Sequence, residues 1–155
     1  MSIQLVPMPA ERFPEWLDRS RTDFVADLVA TGESPEAAHR QASEALEGAF
    51  PAREPTASNA VFDVVDRSGT KVGYLWVGQD GSDDETAWWI WDVLIEPGHQ
   101  GKGIGRAAML LAEEYARSQG ARTLGLNVFG ANTAARGLYA SLGYETTSVK
   151  MRKTL

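Results

Sequence analysis

The chain has no cysteine among its 155 residues and only two histidines, His39 and His99. The first absence removes disulfides, thiolate metal sites and a cysteine nucleophile. The second leaves too few imidazoles for a histidine-based metal cage, so no metal is expected. Long apolar runs are missing too. The longest, near Trp88 to Ile95, falls far short of the ~20 residues needed to cross a bilayer. No basic segment followed by an apolar stretch marks a secretory signal at the N-terminus. The expectation is a cytoplasmic protein without a membrane partner. Positive charge is also scarce: 15 Lys and Arg stand against 21 Asp and Glu, a net charge of -6. Nucleic acid is therefore not expected as a partner, since phosphate-backbone binding relies on cationic side chains. The acidic balance mildly favours a cationic substrate.

What is present suffices for one domain, residues 1–155, with a core that needs no covalent staples. Ser2 to Val6 reads as a strand. Pro9 to Ala30 carries Phe13, Trp16, Leu17, Phe24, Val25 and Leu28 at near-helical spacing, closed by Gly32. Ser34-Pro35-Glu36 opens a second helix, with Ser34 as N-cap and Pro35 in the first turn. Ala60 to Asp66 and Val72 to Val77 flank a hairpin turn at Arg67-Ser68-Gly69-Thr70. Ala87 to Ile95 is a strand rich in tryptophan and β-branched residues. Ile104, Ala107, Ala108, Leu111 and Tyr115 mark one helix face, closed by Gly120. Leu124 to Phe129 reads as a strand, Asn132 to Leu142 as a short helix, and Tyr144 to Lys153 as a last strand or strand pair. A meander followed by a crossover unit gives a mixed α/β (α+β) sheet with helices on both faces.

The chemistry begins at Gln100-Gly101-Lys102-Gly103-Ile104-Gly105-Arg106. Glycines at alternate positions leave backbone N–H groups unshielded where a helix starts. Such a start carries unpaired donors and roughly half a positive charge, and so cradles anions, phosphate above all. The spacing excludes two familiar versions. A dinucleotide fingerprint starting at Gly101 needs a third glycine at position 106, where Arg106 stands. No G-x-x-x-x-G-K-[ST] occurs anywhere. The acidic loop Asp80 to Glu85 fails the calcium pattern, because its sixth and twelfth places hold Glu85 and Trp91.

Two motifs at matching separation resemble the GNAT superfamily of N-acetyltransferases. Ile95-Glu96-Pro97 before Gln100-x-x-Gly103-x-Gly105 is similar to its V-x-P and [R/Q]-x-x-G-x-[G/A] elements. Asn132-x-x-Ala135-x-x-Leu138-Tyr139-x-x-x-Gly143-Tyr144 is similar to its N-x-x-A-x-x-L-Y-x-x-x-G-[FY] signature. The resemblance implies a mostly antiparallel sheet of six to seven strands with about four helices. It implies acetyl-CoA as the donor, and a small-molecule or peptide amine as the acceptor. A homodimer would follow family habit. A rival reading keeps the fold as an acyl-CoA sensor or scaffold without turnover.

The resemblance also implies roles for individual residues. The pyrophosphate would sit on Gln100, Gly101, Lys102, Gly103, Ile104, Gly105 and Arg106, with Lys102 and Arg106 in reach of a further phosphate. The pantetheine arm would add to the backbone of Val93, Leu94 and Ile95 like an extra strand. Asn127 and Ala135 would complete the cofactor contacts, Asn132 would bond the pantetheine or cap the last helix, and Tyr139 would hydrogen-bond the sulfur as general acid. The base is open. Asp92 is the nearest carboxylate, yet strand alternation sets it on the face opposite Trp91. Glu85, at the strand's entrance, would act through water. Phe13, Trp16, Trp88 and Trp89 would line the acceptor side. Alternation places Trp89 and Trp91 on one face and Trp88 on the other.

Overall fold

The computed structural model describes residues 2–155. Its elements run β1 (Ile3–Pro7), α1 (Phe13–Ala30), α2 (Pro35–Ala49), β2 (Asn59–Asp66), β3 (Lys71–Gln79), β4 (Ala87–Ile95), a single 3-10 turn (Pro97–His99), α3 (Ile104–Ser118), β5 (Thr123–Leu126) and α4 (Thr133–Ser141). Local chemistry sets several of these bounds. The Ser34 hydroxyl accepts from the Ala37 amide at 3.1 Å and caps α2. The Asn132 side chain does the same for α4, accepting from the Ala135 amide at 3.2 Å. Gly103, at φ 80°, is the N-cap of α3 and makes the sharp entry that a β-carbon would strain.

The five strands form one sheet in the order β1-β2-β3-β4-β5. The first four pair antiparallel and β5 runs parallel to β4. Alternation along β2 and β3 feeds two separate cores. Ala60, Phe62, Val64, Val72, Leu75 and Val77 point to α3, which answers with Ile104, Ala108, Met109, Ala112 and Ala116. Its alanines let α3 lie close against the sheet. Val61, Tyr74 and Trp76 point the other way, to Phe13, Trp16 and Leu17 of α1 and Leu46 and Phe50 at α2.

The expected six to seven strands become five. The strand expected over Leu124 to Phe129 ends at Leu126. No strand forms between Tyr144 and Lys153. The physical reason is visible in that segment. Its weakly alternating apolar residues, Val149 and Met151, are 73 % and 89 % exposed, so there is no face to bury. Instead Arg152 donates to the Thr31 carbonyl at 2.6 Å, drawing the tail to the end of α1. The outer edge of β5 carries no partner strand among the described residues.

Candidate active site

The site is organised by the way β4 changes partners along its length. β4 pairs with β3 over Trp88 to Ile95, but with β5 only over Ala87 to Ile90. From Trp91 to Ile95 its β5 side is free, which opens a fork between the two strands. Trp89 fixes the closed end of the fork. Its ring covers Gly125, where an added β-carbon would come within 2.4 Å of a ring atom. Only glycine fits beneath it.

At the mouth of the fork β4 bulges. Opposite Trp76 stands Asp92, and opposite Val77 stands Ile90, so Trp91 is the extra residue. The bulge corrects the expected alternation. Trp91 stacks on Trp76, with ring centroids 5.7 Å apart at 27°. Asp92 bonds to Tyr74, on the same α1/α2 face. Trp91 and Asp92 therefore share a face rather than opposing one another, while Val93 and Ile95 pack toward α3.

Asp92 is half-buried, and the Tyr74 hydroxyl donates to its Oδ2 at 2.9 Å. Burial pushes its carboxyl up to about 6, and the negative charges of Asp23 and Asp27 on α1 push the same way. The Tyr74 hydroxyl and the Val93 amide oppose that rise. Tyr139 of α4 is half-buried against the α3-side core, beside Tyr144. Burial raises its phenol above the usual range, and the charge of Asp92 raises it further. The fork thus holds a carboxylate that titrates near neutrality and whose charge is felt by the Tyr139 phenol.

The glycine turn lies at the C-terminal end of the open β4 segment. The Gln100 side chain donates to the Ile95 carbonyl at 2.9 Å and ties the turn back to the strand. Gly101 and Gly103 sit at φ 76° and 80°, and a β-carbon on either would meet no atom within 4 Å. The first α3 amide to find a carbonyl is Ala107, bonded to Gly103. The preceding amides from Gly101 to Arg106 face no protein acceptor among the described residues. The turn is an open concavity lined by N–H groups, which suits a phosphate-bearing ligand. The Ile104 side chain is buried in the core, so only its amide is available there. Arg106 donates to the Ser141 hydroxyl and links the cradle to α4. Leu138 of α4 packs beside Gly105.

Other expected site residues are dispersed. Asn127 is exposed just beyond β5, and Asn132 and Ala135 are joined in the α4 cap. Glu85 is exposed in the turn that precedes β4, seven residues before Asp92. Trp88 is 3 % exposed and packs against Tyr115 on the α3 face, so it belongs to the core and not to an acceptor wall. Phe13 and Trp16 are buried, stacked at 5.5 Å, and support Tyr74 and Trp76 from below. Trp89 and Trp91, 6.2 Å apart, form the accessible aromatic wall beside Asp92. Tyr74 went unremarked in the sequence. Its signal was available, because in a hairpin two residues that face each other, or lie one rung apart, on the same side of adjacent strands come into contact.

No group of three or more His, Cys, Asp or Glu suited to a metal ion occurs among the described residues. No helix there is long and apolar enough to cross a membrane.

The sequence profile of the acetyltransferase (GNAT) family matches residues 13–144. Two uncharacterised N-acetyltransferases of Bacillus subtilis are similar over the whole chain. YdgE is 28 % identical, covering 100 % of this chain and 99 % of its own. YycN is 29 % identical, covering 100 % of both. The crystal structure of YycN superposes with a TM-score of 0.87 over 99 % of each chain. A CoA complex of the aminoglycoside N-acetyltransferase AAC(6')-Iy shares the fold at a TM-score of 0.61, with 14 % identity over 99 % of this chain and 95 % of that one.

Proposed function

Because the chain belongs to the GNAT acetyltransferase family, we propose that it moves the acetyl group of acetyl-CoA onto a primary amine, with Asp92 as general base and Tyr139 as the hydrogen-bond donor to the departing sulfur. The observation that carries this reading is the Asp92 carboxylate held by Tyr74 at the mouth of the open fork of β4 and β5. Acetyl-CoA supplies an activated acyl group as a thioester, which the amine attacks directly.

The residues of the chain divide the remaining work. The amides of Gly101, Gly103 and Gly105 receive the pyrophosphate, and Lys102, exposed beside them, neutralises phosphate charge. The free β4 backbone at Val93 to Ile95 holds the pantetheine arm. One amide there polarises the thioester carbonyl. Asp92 removes the proton that the amine must lose. A lysine-like amine of pKa ~10.4 is neutral about once in 2,500 molecules at pH 7, a handicap of ~4.6 kcal/mol. A carboxylate titrating at about 6 is mostly ionised at that pH and can accept the proton on site. Tyr139, raised above its usual value, is too weak an acid to release its proton fully to a thiolate of pKa ~8.5. Its part is to donate a hydrogen bond as sulfur charge develops. Trp89 and Trp91 wall the acceptor side, where their faces attract a cation.

The experiment is thiol release from acetyl-CoA across a panel of amines, followed against pH. Release with at least one amine, with an acid limb near pH 6 that disappears in Asp92→Asn, is the expected outcome. CoA binding without release for any amine replaces transfer with an acyl-CoA sensor. Transfer with an unchanged profile in Asp92→Asn removes Asp92 as the base.

A further inference from the structure

Tyr74 is the side chain that holds Asp92, and its surroundings are more elaborate than a core tyrosine requires. It is 2 % exposed and sits on β3 diagonal to Asp92, one rung from the Trp76–Asp92 pair. Its hydroxyl donates to Asp92 Oδ2 at 2.9 Å. Trp16 packs edge-on against its ring with centroids 5.9 Å apart. The Arg19 guanidinium lies over the same ring, 5.5 Å from its centre. Arg19 is itself anchored. It donates to Glu96 Oε1 at 3.0 Å, and Glu96 directly follows β4 and begins the approach to the glycine turn. The Glu96 amide in turn donates to the Val72 carbonyl of β3 at 2.9 Å.

From this geometry we infer that Tyr74 is a positioning residue for acetyl transfer, clamping the Asp92 carboxylate in the mouth of the fork while Arg19 and Glu96 lock the tyrosine to α1 and to the end of β4. The inference rests on Asp92 being the base of the reaction.

The clamp acts in three ways. It occupies one carboxylate oxygen, Oδ2, and leaves Oδ1 for the incoming ammonium. It fixes the rotamer of a residue that follows a bulge, where the backbone alone constrains the side chain least. It also tunes the charge. The groups that act on the charge of Asp92 are Asp23 and Asp27 from α1, Tyr74 from β3 and the Val93 amide on its own strand, and Asp92 acts in turn on Tyr139 of α4. The two aspartates favour the protonated acid, and the Tyr74 hydroxyl favours the carboxylate. Burial drives the Tyr74 phenol far above its usual range, so it remains a donor at every working pH. Without it, the aspartates and burial act unopposed but for the Val93 amide, and Asp92 holds its proton to higher pH.

The test uses Tyr74→Phe, which keeps the ring under Arg19 and against Trp16 and removes only the hydroxyl. The Asp92 carboxyl is titrated by carbon-13 NMR in the free protein, and the pH dependence of kcat is measured with the best amine of the panel. The expected result is a rise of about one pH unit in the Asp92 titration and an equal displacement of the acid limb, with thermal stability at pH 5 little changed. An unmoved Asp92 titration overturns the inference, whatever happens to turnover. If Asp92→Asn leaves the rate profile intact while the Tyr74→Phe titration still moves, the base assignment fails and the clamp stands as a structural pair without a catalytic role, which also overturns the inference. The two failures are therefore distinguishable.

Discussion

The two faces of this sheet are built from different materials. Against α3 the sheet presents aliphatic side chains, with Trp88 and Phe62 meeting Tyr115 of the helix at one end, and the helix otherwise presents small ones, Ala108, Ala112 and Ala116, each almost fully buried. Against α1 and α2 it presents aromatic rings and polar groups. Phe13, Trp16, Phe50, Tyr74 and Trp76 interlock there at centroid distances of 5.0 to 5.9 Å. Buried among or beside them are the Arg12–Asp63 ion pair, the Tyr74–Asp92 bond and the Trp76–Asn59 bond. Trp16 Nε1 and Asp63 Oδ1 find no partner there among the described residues. One face is close-packed hydrocarbon. The other tolerates desolvated polarity, which is destabilising unless each group is paired. The difference separates two tasks. The α3 face supports the helix that follows the glycine turn, and on the proposed reading the α1/α2 face carries the carboxylate that takes up a proton.

The contrast can be broken most strongly at Asp92. Its carboxyl is raised to about 6 from 3.8, so the folded state binds the proton more tightly than the unfolded chain. The stability this confers is complete below pH ~4 and is lost as pH rises through 6, by about 3 kcal/mol at most. Asp92→Asn abolishes that fall. Thermal melts at pH 8 are expected to show the variant more stable than the parent although it is catalytically impaired, whereas at pH 4 the two converge. On the opposite face the sign reverses. Ala112→Leu forces extra carbon between α3 and the sheet, and denaturant titration is expected to show a loss of about 1–3 kcal/mol at every pH. The smallest effect sharpens the comparison at the fork. Tyr139→Phe is expected to lower kcat about tenfold, ~1.4 kcal/mol in the barrier. CoA affinity by calorimetry should stay unchanged, because the ring and its 6.0 Å contact with Tyr144 remain.

Much of the α3 face was legible in the sequence because it obeys simple periods. β2, β3 and β4 follow alternation or continuous apolarity, α3 follows the helical repeat, and Ser34 and Asn132 announce their helices. The glycine turn is legible for the same local reason, since Gly101 and Gly103 adopt positive φ within a few residues of sequence. The α1/α2 face was harder to read. The bulge at Trp91 carries no glycine or proline to mark it, so simple alternation put Asp92 on the wrong side. Tyr74 looked like one more strand aromatic, because its partner lies 18 residues away. The last expected strand failed for another reason: a weak alternating pattern needs a surface to bury against, and the segment from Glu145 onward stays exposed.

The extra residue in β4 has a consequence beyond this one carboxylate. It acts as a phase shift within a single strand. Upstream of Trp91 the side-chain frame is set by β5 and the glycine beneath Trp89; downstream it is set by β3 and the turn. Each half can therefore be rewritten without rephasing the other. Deleting Trp91 would restore one unbroken frame with Asp92 still opposite Trp76 and Val93 still toward α3, and would remove only the ring that stacks on Trp76. On the proposed reading, a strand interrupted in this way would let the surroundings of the acceptor diverge while the grip on the donor stayed constant.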